Sequence, residues 1–141
     1  MKRFLILLIA VALAGLSYAQ VLTCYDVQFT TSANGNSPYL NQVVTVEGIV
    51  VAEKFYTGTN TSNYGFVISD PEGGPWSGLL IFTNRYFPQI GDMVSVTGSI
   101  AEYYNFTEMT SVSAYSVIST GNTLPAPALI TTGTLAYAAT A

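Results

Sequence analysis

Gly91-Asp92-Met93-Val94-Ser95-Val96-Thr97-Gly98-Ser99-Ile100-Ala101-Glu102-Tyr103-Tyr104-Asn105-Phe106-Thr107-Glu108 is the stretch that decides the fold. Val94, Val96 and Ile100 alternate with Ser95, Thr97 and Ser99, the period of two of a strand with one buried face. Gly98 falls on the inward side, where a side chain would otherwise sit. A glycine there marks a bulge, a sharp bend or a close backbone approach. Gly91-Asp92 turns the chain before the strand, and the polar and aromatic run Glu102 to Glu108 loops after it. A strand that coils and then loops is what the corner of a small closed barrel requires.

Working outward, Gln42 to Phe55 reads as the longest strand. Val44 and Val46 face one way, Thr45 and Glu47 the other, and Gly48 interrupts as Gly98 does. Tyr56 to Asn63 is a loop. Tyr64 to Ser69 and Leu79 to Phe82 are short strands separated by the turn Asp70-Pro-Glu-Gly-Gly-Pro75. Asn84 to Ile90 is too short for a helix and contains Pro88. Glu108 to Ser119 alternates weakly and makes a fifth strand. Five strands, two of them bent at glycine, predict an all-β fold, a small antiparallel barrel in which closure removes valine-rich edges.

The flanks read differently. Lys2-Arg3, the apolar run Phe4 to Leu16 and Ser17-Tyr18-Ala19 predict a secretory signal peptide over residues 1–19. The chain would then be secreted or at the cell surface, with no membrane contact after cleavage. Residues 20–36 predict an N-terminal arm, with Tyr25, Val27 and Phe29 as a short edge strand or extended lead. Cys24, a lone cysteine, is expected in that flexible lead. Ser37-Pro-Tyr-Leu40 predicts a one-turn helix. Gly121 to Pro127 is a linker, and residues 128–141 begin what looks like a second, truncated module.

Composition excludes several functions. With no histidine among the 141 residues, Ser-His-Asp and Cys-His catalysis and histidine-ligated zinc are ruled out. Removing residues 1–19 takes two of the four basic residues, so Lys54 and Arg85 face eight acidic ones, net −6. No basic stripe for duplex phosphates remains. The eight acids are scattered over strands and turns. Neither catalytic nor metal-ligating residues are assigned, and no cofactor is expected. Asp70 and Glu72 share one turn but lack calcium-loop spacing, and a solvated turn is the simpler reading.

Four blocks, Ser37 to Val50, Tyr64 to Pro71, Gly91 to Gly98 and Glu102 to Glu108, together resemble the OB-fold domains of secreted bacterial nucleases and other multidomain exported proteins. The resemblance runs from about Asp26 to Leu135 and keeps the blocks in order. It implies a five-stranded antiparallel OB-fold barrel over residues 37–120, with the helix between strands three and four reduced or absent. It also implies a noncatalytic binding module beside a downstream nuclease or phosphodiesterase domain. Its expected ligand is single-stranded nucleic acid; the alternative is a structural or carbohydrate-contacting spacer. OB folds bind on strands two and three and on the loops after strands one and four. On this sequence those positions are Tyr56, Tyr64, Val67, Leu80, Phe82, Tyr103, Tyr104 and Phe106, which could stack bases or sugars, or pack against the N-terminal arm or the next module. Trp76 is expected as a lid on the barrel end, the alternative being a rim contact.

Overall fold

The computed structural model describes residues 20–54 and 65–127. Its elements are β1 (Val21–Leu22), α1 (Cys24–Gln28), β2 (Val43–Ala52), β3 (Gly65–Ser69), β4 (Gly78–Phe82), β5 (Met93–Tyr103) and β6 (Phe106–Ser119). The strands form one sheet ordered β1-β2-β3-β4-β6-β5, and β2 also pairs with β5. The ladders therefore run from β2 through β3, β4, β6 and β5 and return to β2.

The sheet is mixed, which corrects the expectation of five antiparallel strands. A circuit of five strands cannot alternate direction all the way round, so one neighbouring pair must be parallel. That pair is β4–β6, at Leu80 opposite Glu108 and Ile81 opposite Met109. The sixth strand is β1, which lies parallel to β2 at Thr45 and Val46. Its place follows from β3, which pairs with β2 only from Ile49 to Ala52 and leaves the earlier edge of β2 open.

One face of each strand supplies the core. Val46 and Val50, Phe66 and Ile68, Leu79 and Ile81, Val94, Val96 and Ile100, and Met109 are all buried within one cluster. Gly98 is needed because two chains crowd there. A Cβ on it would come 2.6 Å from the Thr110 carbonyl oxygen and 2.7 Å from Met109 Cγ. The β5–β6 register shifts between Thr97 and Ser99, where β6 carries extra residues and Ser111 adopts φ 48°. Gly48 is similarly close to β3, with its Cβ position 3.1 Å from Ile68 Cβ.

The N-terminal arm departs most from expectation. Tyr25 to Gln28 lie in a helix, not a strand. Thr23 caps it, accepting the Asp26 N–H at 3.0 Å while Asp26 Oδ2 accepts the Thr23 N–H at 2.9 Å. Cys24 and Val27, three apart on one helix face, are fully buried against the strands. Cys24 is thus a core residue rather than part of a loose lead, and burial pushes its thiol well above the ordinary range. Asp70 fixes the helix from across the fold. Its Oδ1 accepts the Cys24 N–H at 2.7 Å and its Oδ2 the Tyr25 N–H at 2.9 Å. A carboxylate at a helix start meets unpaired N–H groups and the positive end of the helix dipole.

Residues 37–41 form overlapping turns in place of the expected one-turn helix. Leu40 N–H donates to Ser37 O at 3.2 Å and Gln42 N–H to Tyr39 O at 2.9 Å. Ser37 Oγ is held by donating to the Val27 carbonyl at 2.6 Å. The segment 84–90 has no helix. At the start of the linker, Asn122 N–H donates to the Gly91 carbonyl at 2.9 Å. Residues 1–19 and 128–141 lie outside the described residues.

Candidate binding face

The outward side of the sheet is set by the same alternation that builds the core. Register places Val67 opposite Leu80, Leu80 opposite Glu108, and Glu108 opposite Ala101. These four side chains form a row across β3, β4, β6 and β5. Sequence reasoning chose Val67 and Leu80 from this row as exposed contacts. Their outward phase is as expected, but Leu80 is buried and Val67 half-buried. Glu108, which sequence reasoning did not select, sits between Leu80 and Ala101. It too is buried, and desolvation raises its carboxyl above the usual carboxylate range.

The row continues at one end into the β5–β6 hairpin. Tyr103 pairs with Phe106, and each lies two residues beyond its neighbour in the row, Ala101 or Glu108. Both share that face. The connection is the two-residue turn Tyr104-Asn105, with φ 49° and 61°. Two left-handed residues make the hairpin turn whose twist matches the strands. Asn accepts that conformation; a tyrosine does so at a cost. Tyr103, Tyr104 and Phe106 are 63%, 88% and 54% exposed, and the rings of Tyr103 and Tyr104 meet edge to face at 4.7 Å. The hairpin therefore presents three large aromatic side chains to solvent.

Phe82 belongs to the opposite end of the row. It lies two residues beyond Leu80, level with Thr110 on β6, about 13 Å along the strands from the level of Phe106. It is half-buried. The structure gathers Tyr103, Tyr104 and Phe106 into one group and leaves Phe82 apart. Tyr56 and Tyr64 lie outside the described residues.

A second aromatic group was missed because its residues were read as a strand. On α1 and its C-terminal cap, Tyr25 and Phe29 are four apart and stack at 5.1 Å. Trp76, in the β3–β4 turn, meets Phe29 edge-on at 6.2 Å. Trp76 is half exposed, with φ 66°, so it is a rim residue and not a lid. The Thr23-x-x-Asp26 capping pattern was the available signal, since a helix puts positions 25 and 29 on one face.

Most acids have structural work. Asp26 and Asp70 hold α1. Asp92 accepts the Gln89 N–H at 2.8 Å, Glu53 the Ile90 N–H at 3.2 Å and Glu102 the Ser37 N–H at 2.9 Å. Asp70 is therefore buried under α1 rather than solvated. Among the described residues, no three His, Cys, Asp or Glu side chains are grouped to hold a metal. The two cations are separate: Lys54 is exposed after β2, and Arg85 lies 5.8 Å above the Tyr86 ring.

No family model matches the chain, and no curated protein matches it. Among solved structures it is similar to the second OB-fold domain of replication protein A from Methanococcus maripaludis. The two are 13% identical with a TM-score of 0.38, over 64% of this chain and 95% of that one.

Proposed function

We propose that β2 to β6 form an OB-fold barrel and that the chain is a noncatalytic binding module for single-stranded nucleic acid. The observation that carries this is the β5–β6 hairpin. It is the loop between the last two strands of the circuit, one of the two loops that OB folds use for binding. It exposes three aromatic rings on a turn that tyrosine adopts at a cost. Bases stack on such rings without regard to sequence. Tyr56 and Tyr64, on the other loop of the pair, would complete the face, with Val67, Leu80 and Phe82 as its floor.

With only two cations after residue 19, stacking rather than phosphate pairing supplies the affinity. Binding of a labelled oligothymidylate should then lose little with salt, a log–log slope of about −1 or −2 at most. Tyr103→Ala and Phe106→Ala should each weaken it about tenfold or more. Absence of any anisotropy change at high protein concentration would reject the reading.

In the same proposal residues 1–19 are a cleaved export signal, residues 20–36 an arm, and residues 121–141 the approach to a downstream nuclease or phosphodiesterase domain. Amino-terminal sequencing of exported protein should begin at Gln20. The acidic balance favours a second reading, a carbohydrate-contacting spacer, because exposed aromatics without cations suit sugars as well as bases. Binding to a glycan array that is lost in Tyr103→Ala, with no oligonucleotide binding, would select it.

A further inference from the structure

The N-terminal arm holds a cavity that the hairpin reading does not use. It is an open depression of about 540 Å3 between Phe29 and Leu40, with Phe29, Thr31, Asn34, Asn36 and Pro38 among its walls. No charged side chain lines it. Ser32 Oγ donates to Asn34 Oδ1 at 2.8 Å, and the Asn36 N–H donates to the same oxygen at 3.1 Å. The Asn34 amide NH2, the Asn36 side-chain amide and the Thr31 hydroxyl make no hydrogen bond among the described residues. Phe29 joins this cavity to the stacked Tyr25 ring and the edge of Trp76. Trp76 is held in a left-handed backbone conformation, strain that surrounding structure must sustain.

A pyranose has apolar C–H faces and a rim of hydroxyls that donate and accept. Aromatic rings accommodate the faces, and neutral amides and hydroxyls accommodate the rim. An uncharged lining gives no preference to phosphate or carboxylate. We infer that this cavity and its aromatic flank bind a neutral oligosaccharide. The site is separate from the β5–β6 hairpin, and its test can fail while nucleic-acid binding there succeeds.

Trp76 is the only tryptophan, so its fluorescence reports on the aromatic flank of this site through its contact with Phe29. The protein is titrated with cellohexaose, xylohexaose, laminarihexaose, mannohexaose and hexa-N-acetylchitohexaose. At least one should shift the emission saturably, with a Kd of about 1 mM or tighter. Phe29→Leu and Asn36→Ala should each raise that Kd about tenfold, whereas Tyr103→Ala should leave it unchanged. Phe29→Leu keeps apolar bulk on the arm, and Asn36→Ala alters an exposed loop, so both variants are expected to fold. The inference is overturned by no saturable response to any of the five sugars, or by a response that survives both substitutions. It is also overturned if single-stranded DNA produces the shift and the sugars do not.

Discussion

The α1 end of the sheet and the β5–β6 hairpin use their side chains in opposite ways. At α1 the buried groups meet partners: Asp70 accepts two helix N–H groups, the Ser37 hydroxyl donates to the Val27 carbonyl, and Cys24 and Val27 fill the core. At the hairpin three rings stand in solvent, one of them on a turn residue that favours asparagine or glycine. The first region lowers the energy of the fold, and the second raises it. Burial alone does not account for the hairpin aromatics, which is why the nucleic-acid ligand is proposed there; the buried face of α1 is structural, and the proposed sugar site uses the exposed Tyr25 and Phe29 rings instead.

The largest test of this contrast is Asp70→Ala. It strands one buried and one part-buried N–H group and should cost about 3 kcal/mol in urea unfolding. It should also speed Cys24 thiol labelling, because α1 opens more often. If stability is unchanged, α1 is not the sealed end described here. A smaller effect, opposite in sign, is expected for Tyr104→Asn. Relieving the turn should raise stability by about 1 kcal/mol while weakening oligonucleotide binding. A stability loss would show that the tyrosine ring packs usefully and would erase the contrast.

Glu108 tests the row between the two regions. Burial raises its carboxyl, so folding favours the protonated form. Stability from this group is greatest at acid pH and falls as pH rises from the ordinary carboxylate range through the raised value. Glu108→Gln should flatten that portion of the pH profile and gain on the wild type most at neutral pH. Least affected should be Phe106→Ala, whose unfolding free energy should stay within about 0.5 kcal/mol of wild type. A larger loss would mean that the hairpin belongs to the folded core.

Much of the sheet was legible in the sequence because its signals are local. Val94, Val96 and Ile100 state their own phase, and Gly98 announces a crowded position whose neighbour, Met109, only the fold reveals. The parallel β4–β6 ladder was legible in principle, since it follows from the strand count, but not from any one segment. The arm reads as extended because Tyr25, Val27 and Phe29 satisfy a period of two, and the Thr23-x-x-Asp26 capping pattern that favours a helix lies outside that alternation. Asp70 was beyond sequence reasoning, since its partners lie 46 and 45 residues away. Leu80 was placed on the correct face, but phase along a strand says nothing about what covers that face.

The closed sequence of ladders also orders the folding of the chain. β4 acquires its second neighbour only when β6 arrives, and β6 is the last strand in chain order among the described residues. Until Met109 is available, β2, β3 and β4 form an open meander with an unpaired edge and an exposed apolar face. A nascent chain therefore passes through an aggregation-prone intermediate that ends when β6 pairs. Refolding should be slow, limited by pairing distant segments rather than by any local helix.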